Sequence, residues 1–303
     1  MRKFNKKILL SLLIILLLTL SLSACEHIEI NYIEDYIGEE AFIEGQLIVH
    51  YIDIGQGDAI FIQERNTDST YNMLIDAGNN WDGEFLVEYL QNEGVERLDY
   101  VIGTHPHADH IGGLDDIIEA FPIGTIIMPR VPANTRTFEE VLEAIANKGL
   151  RVTSPKPGMT YSLGEAEFEI LAPNSDSYSS LNDYSIVNRL DFGNTSFIFT
   201  GDAERASEYE ILEVFPEESL RADVLKLGHH GSSSSTTDEF LAVVDPQYAV
   251  ISCGLDNSYG HPHWEVIEKL EMENIEILRT DEMGSIIITS DGEDLYIERE
   301  FEY

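Results

Sequence analysis

The 303-residue sequence predicts an α/β fold, with β-sheets packed together and helices on the outside. Three observations predict it. Short apolar runs bounded by Gly, Pro, Asn and Asp read as buried strands. Amphipathic stretches of helical period follow them. The alternation occurs in both halves of the chain, and a 43% hydrophobic content suffices for one sizeable core or at most two small domains.

In the first half, QLIVHYIDI and AIFIQ are strands joined by the turn GQGD, and NMLIDAG is a third strand. GEFLVEYLQNEG is an amphipathic helix ended by Gly94, and LDYVIGT is a short buried strand. GGLDDIIEAF is a helix, GTIIMP a strand and TFEEVLEAIANKG a helix closed by Gly149. In the second half, YSIVNRLDF and TSFIFTGD are strands and AERASEYEILEVF a helix. DVLKLG, TTDEFLAVV, QYAVISCG and HWEVIEKLEMEN alternate strand and helix, and SIIITS and LYIERE are closing strands. The segment 173–183 and the serine run Ser232 to Ser235 read as loops whose composition suits mobility.

Residues 1–25 combine Arg2, Lys3, Lys6 and Lys7 with an apolar run from Ile8 to Leu22, then Leu22-Ser23-Ala24-Cys25. This is the pattern of a secretory signal, and the run is short for a membrane span. The last four residues resemble a bacterial lipobox. That resemblance implies cleavage before Cys25 and a lipid on its thiol, hence an extracytoplasmic protein anchored to the bacterial membrane. Residues 26–45 read as an acidic tether and 46–303 as the functional domain. The other cysteine, Cys253, lies in the apolar run AVISC and is expected to be a buried strand residue. With Cys25 lipidated, no disulfide within the chain is expected, which suits a bacterial exported protein.

The whole chain carries a net charge of −38; without the four basic leader residues, 14 Lys+Arg stand against 56 Asp+Glu, or −42. Such a field repels polyanions at long range. It argues against a large basic surface that grips nucleic acid regardless of sequence. It leaves room for a phosphodiester substrate, because a bound divalent metal supplies local positive charge.

Residues 104–113 read THPHADHIGG, placing three of the nine histidines within six residues. The stretch is a strand-to-helix loop, with the helix expected to start near Ile111. His105 and His107 are two apart and project to one side of extended backbone; Asp109 and His110 follow on the turn into the helix. One pair suits one metal and the next pair a second. Imidazole with carboxylate suits zinc, manganese or iron.

The order H-x-H-x-D-H resembles the metallo-β-lactamase superfamily. That resemblance implies a four-layer αβ/βα sandwich with one or two divalent ions, zinc or manganese, at the sheet edge. It implies that Asp202, in SFIFTGD, bridges the metals and that a late histidine completes the shell. In DVLKLGHHGS the favoured ligand is His229, with His230 facing substrate or supporting a ligand. No histidine stands between His110 and His229, so the family's third histidine is missing; Asn182 or Asp183 occupies its place, either as an oxygen donor or as a loop cap.

A narrower resemblance rests on IDIGQGDA, LIDAG, NDYSIV, FTGD, DVLKLGHHGS and NSYGHPH, which keep their order from about Leu47 to Ile297. Together they are similar to the metallo-β-lactamase domain of the competence DNA-uptake protein ComEC and its stand-alone relatives. The membrane channel and oligonucleotide-binding domain of that protein have no counterpart in the sequence, so the resemblance implies hydrolysis rather than transport. The expected substrate is a phosphodiester in nucleic acid or a cell-wall polymer, attacked by metal-activated water. Lactonase, β-lactamase or thioesterase chemistry, or a silent binding module, are the alternatives. Asp109 and Asp202 would serve catalysis through the metals, and His261 would stabilise the leaving group or bind phosphate. Asp58 would orient a ligand histidine. Asp76 either does the same or caps a turn. His263 and Ser232 are weaker candidates for contacting substrate. His27 and His50 have no partners in sequence and read as ordinary.

Overall fold

A computed structural model of the protein describes residues 45–299. The leader with Cys25, His27 and the tether up to residue 44 lie outside the described residues. The described part belongs to one compact unit, 44–303.

The first sheet is built from β1 (Gln46–Tyr51), β2 (Ile60–Arg65), β3 (Thr70–Ile75), β4 (Leu98–Ile102), β5 (Ile123–Ile127) and β6 (Val152–Thr153). The second is built from β7 (Thr160–Leu163), β8 (Ala166–Ala172), β9 (Val187–Phe192), β10 (Thr195–Phe199), β11 (Val224–Lys226), β12 (Tyr248–Ile251) and β13 (Glu276–Arg279). The chain then returns with β14 (Ile286–Ser290) and β15 (Leu295–Arg299) to close the first sheet. The spatial orders are β15-β14-β1-β2-β3-β4-β5-β6 and β13-β12-β11-β10-β9-β8-β7.

Each sheet is antiparallel where short turns join its strands and parallel where a helix crosses over, as chain geometry demands. β1, β2 and β3 pair antiparallel, and β3 to β6 pair parallel. The crossovers are the helices Gly83–Asn92, Leu114–Ala120 and Arg136–Asn147. The second sheet repeats the device with Arg205–Val214, Asp238–Val244 and Trp264–Met272.

Strand alternation sorts side chains into layers. Ile60, Ile62, Met73 and Ile75 face the core between the sheets, where they join Phe168, Phe197, Phe199 and Val224 of the second sheet. The intervening Phe61 and Leu74 face the first set of helices with Leu86, Ile117 and Val141. Ile198 and Leu225 face the second set with Ile211, Phe240 and Leu270. The result is the four-layer αβ/βα sandwich.

Two expectations need correction. Cys253 is buried, but it follows β12 rather than lying in it. The serine loop is largely packed: Ser232, Ser235, Thr236 and Thr237 are buried. Its backbone is tied down by Glu208, whose carboxylate accepts the Thr236 and Thr237 amides, the latter at 2.7 Å.

Candidate metal centre

The parallel strands deliver the site. β3, β4, β10, β11 and β12 all end at one edge, and the residues beyond those ends converge. This is where open α/β sheets present chemistry, because loops there are free of pairing duties. The sheets meet at this edge: the Ile186 amide donates to the Thr104 carbonyl at 3.0 Å, and the Ser185 hydroxyl lies 3.3 Å from His105 Nδ1.

THPHADHIGG leaves β4 in extended backbone. The helix begins earlier than expected, because Asp109 and His110 sit on a short turn, Ala108–Ile111. Gly112 lets that turn dock: a Cβ there would stand 2.3 Å from the backbone of Asn79 and Asn80. Its amide donates to the Gly78 carbonyl at 2.7 Å.

His105 Nε2 and His107 Nδ1 lie 2.9 Å apart, and His105 Nε2 is 3.7 Å from Asp202 Oδ2. On the other side, His110 Nε2 lies 3.1 Å from Asp202 Oδ1. His230 Nε2 lies 3.5 Å from both Asp202 Oδ1 and Asp109 Oδ2. Asp202 thus offers one oxygen to each half. Two groups gather within metal-ligating reach, His105–His107–Asp202 and Asp109–His110–His230.

The order favoured for the late histidines is reversed by this geometry. His230, not His229, joins Asp109 and His110. Both residues have left-handed backbone, φ 51° and 55°, a strained state that turns consecutive side chains in directions strand alternation does not give. His230 is buried, with Nδ1 3.0 Å from the Ser252 carbonyl and 3.3 Å from Asp58 Oδ1. His229 lies toward the open cleft. Its Nε2 is 3.7 Å from Asp202 Oδ2, and its Nδ1 is 3.2 Å from both Glu204 and Ser234.

Asp76, also left-handed at φ 59°, both caps and orients. Its Oδ1 accepts the Thr104 amide at 2.7 Å and its Oδ2 lies 2.7 Å from His110 Nδ1. Asp58 stands behind His230 and His110, within 3.3 and 3.7 Å of their Nδ1 atoms. Asn182 Nδ2 packs against His229 and Glu204, each at 3.4 Å. Asp183 instead caps the helix Arg205–Val214, accepting the Glu204 and Ser207 amides at 3.2 Å, which removes it from the centre. Ser232 bonds to Ser234 at 2.9 Å within its own loop rather than facing the cleft. His263 accepts the Ser233 amide at 2.9 Å and starts the helix Trp264–Met272.

A cleft of about 310 Å³ opens over these groups, lined by Gln56, His107, Asp109, His229, Tyr259 and His261 among others. Burial, then His229 and His230, hold the His261 imidazole down at about 4, so it is neutral near pH 7. Its Nδ1 is buried without a hydrogen-bond partner.

The electrostatics suit cations. Burial opposes charge on His230, but Asp202, Asp58 and Asp109 outweigh it and lift the ring to about 9. Asp202 and Asp76 likewise raise His110 against its burial. Burial, then His110, hold His105 well below its ordinary value. A divalent cation would compete with protons for these rings. The fit shows in atoms whose neighbours are only other members of the cluster: His110 Nε2, His230 Nε2 and Asp202 Oδ1 are buried and converge at 3.1–3.5 Å without a well-formed hydrogen bond among them. Buried polar atoms are almost always paired, so this convergence marks a ligand position.

Lys226 lies in DVLKLGHHGS without being one of the residues that motif assigns, yet it joins the site. It is fully buried below the cluster, its ammonium on Asp58. A signal existed, since a charge inside the apolar run VLKLG demands a buried partner.

Residues 52–255 match the model of the metallo-beta-lactamase superfamily. The chain is 35% identical over 254 residues to ComE operon protein 3 of Bacillus subtilis, covering 78% of this chain and 32% of that protein. It is 31% identical to Recombination protein 2 of Haemophilus influenzae, over 78% and 28% of the two chains. It therefore spans about a third of the length of these relatives. Among solved structures, the fold resembles CmlA, a diiron beta-hydroxylase from Streptomyces venezuelae, with TM-score 0.51 and 16% identity over 77% of this chain and 52% of that one. It also resembles the metallo-beta-lactamase fold protein YhfI from Bacillus subtilis, with TM-score 0.51 and 13% identity over 78% and 96%.

Proposed function

Because the chain belongs to the metallo-β-lactamase superfamily, we propose that it is a metal-dependent phosphodiesterase held outside the cell by a lipid on Cys25. The observation that carries the metal reading is the buried convergence of His110 Nε2, His230 Nε2 and Asp202 Oδ1, which face only other members of the cluster. His105 and His107 would hold one ion, Asp109, His110 and His230 a second, with Asp202 shared. Four imidazoles and two carboxylates suit zinc, manganese or iron. Divalent ions held there would supply Lewis-acid polarisation of substrate and acidify water toward neutral pH.

The chain's own residues do the rest. Asp76 and Asp58 fix the rings of His110 and His230. The His261 imidazole, neutral near pH 7, lines the cleft beside His229 and is the ring nearest to hand for a phosphate oxygen or the leaving group. The relative named for recombination favours a phosphodiester over a lactam or lactone. The acidic field favours a substrate bound locally at the metals over one gripped along its length. For the anchor, the support is Leu22-Ser23-Ala24-Cys25 after a basic, apolar leader. Among the described residues no helix is long and apolar enough to cross a membrane.

The test is a substrate panel with added Zn²⁺ or Mn²⁺: bis-p-nitrophenyl phosphate, single- and double-stranded DNA, and teichoic acid. We expect diester turnover that Asp109→Ala abolishes. Turnover of nitrocefin, a lactone or a thioester without any diester would overturn the substrate assignment, and a protein that retains no metal would overturn the enzyme reading. Retention of the Cys25→Ser variant in the membrane fraction would overturn the anchor.

A further inference from the structure

Lys226 is the lysine that, among the described residues, lies fully buried. It ends β11, after the apolar Val224 and Leu225. An ammonium shut away from water is costly unless paired, and packing alone would be served better by an apolar side chain. Its contacts are specific. Nζ bonds Asp58 Oδ2 and lies 3.5 Å from the carbonyl of Gly201, the residue before Asp202. Asp58 Oδ1 stands 3.3 Å from His230 Nδ1. The opposite ring atom, His230 Nε2, faces Asp109 and Asp202 at 3.5 Å. A chain of contacts thus runs from Lys226 through Asp58 and His230 to the open ligand position. The His105–His107 pair has no such support from Lys226: His105 Nδ1 lies against Thr104 and Ser185, at 3.2 and 3.3 Å.

We propose that Lys226 is a positioning residue for the His230 half of the centre. It touches neither metal nor substrate. By fixing Asp58 it acts with the Ser252 carbonyl, 3.0 Å from His230 Nδ1, to hold the plane of His230 and point Nε2 at Asp109 and Asp202, so that half would hold its ion through a residue outside the ligand set. The inference rests on the metal-centre reading above. It adds a dependence that the motif H-x-H-x-D-H does not contain, carried by a fixed positive charge amid the carboxylates Asp58, Asp76, Asp109 and Asp202.

The experiment is a double-mutant cycle on Zn²⁺ affinity, measured on the full chain by competition with a graded chelator. Lys226→Met keeps the length of the side chain and removes the charge. It is expected to weaken zinc retention about 10–100-fold, the usual cost of losing a group that orients a metal ligand. In the His230→Ala background the same substitution is expected to cost nothing further. An equal loss in both backgrounds would mean general destabilisation and would overturn the inference, as would wild-type affinity in the single variant. Should Lys226→Met fail to fold, Asp58→Asn/Lys226→Met removes the buried pair together and carries the test with the same expected loss; wild-type affinity there overturns the inference equally. Absence of zinc from the wild-type protein is a separate outcome, which removes the metal reading itself.

Discussion

Asp76 Oδ2 and His110 Nδ1 stand 2.7 Å apart in full burial, and this contact decides which ring atom His110 offers to the centre. With Nδ1 committed to a carboxylate, Nε2 is left facing Asp202 Oδ1 at 3.1 Å. Asp76 is itself clamped by the Thr104 amide and hydroxyl, at 2.7 and 2.6 Å, so the backbone that begins the motif also aims its last histidine.

Asp76→Asn should therefore weaken zinc retention about 10–100-fold while leaving the protein folded. Asparagine tolerates the left-handed backbone at this position, φ 59°, and keeps the shape, but loses the charge that fixes the His110 tautomer. Chelator competition on the folded variant measures it. Unchanged affinity would reduce Asp76 to a turn cap.

The two late histidines separate in the same assay. His230→Ala should lose the ion of its own half and keep that of the His105–His107 half, because its Nε2 is buried between Asp109 and Asp202. His229→Ala should keep its metal and lose turnover, because its ring lines the cleft beside His261, with centroids 5.3 Å apart. Metal content of the two purified variants decides the order, and the opposite pattern would restore His229 as the ligand.

These residues show where sequence reasoning reaches and where it stops. Packed sheets with outer helices were legible because apolar runs such as AIFIQ and NMLIDAG alternate with amphipathic stretches, but the four layers followed only from the resemblance: Ile60, Phe61 and Ile62 are all apolar, and their division between two faces does not show in the sequence. The hairpin of β7 and β8 was missed, since Thr160, Ser162, Glu167 and Glu169 dilute its apolar signal. H-x-H-x-D-H was legible as chemistry because its ligands are local in sequence. The order of His229 and His230 was not, because two consecutive left-handed residues set those directions and no side-chain pattern announces them. Asp183 read as a metal-site candidate because it stands where the family has a histidine, yet its oxygen serves the helix that follows.

His50 provides a pH prediction away from the centre. The ring is buried against Phe61, with Nδ1 2.8 Å from the Tyr89 hydroxyl. Burial, then the charge of Arg65, hold its pKa down at about 4, from an ordinary 6.5. Below pH 6.5 the unfolded chain takes up a proton that the folded chain refuses, so stability falls with pH from there toward about 4. This one group should remove on the order of 2 kcal/mol between pH 7 and 4.5. Urea unfolding at both pH values should show a difference smaller by about that amount in His50→Leu. An equal difference in both proteins would mean that His50 is protonated in the native state.

Cys253 gives the complementary case at high pH. Its side chain is fully buried after β12, and burial, then Asp281, push the thiol up to about 12. The reactive form is the thiolate, so both accessibility and ionisation protect this residue. In a Cys25→Ser chain, where it is the single thiol, a disulfide reagent at pH 8 should label the native protein at least about 10³-fold more slowly than the urea-unfolded protein, because reaction must wait for opening. The same burial has a thermodynamic consequence. Above pH 9 the unfolded chain surrenders a proton that the native chain keeps, so stability declines as pH rises from about 9 toward about 12. Cys253→Ala removes the titrating group and should flatten that decline. Rapid labelling of the native protein, or an unchanged alkaline slope in the variant, would show that the edge beyond β12 opens far more readily than its packing implies.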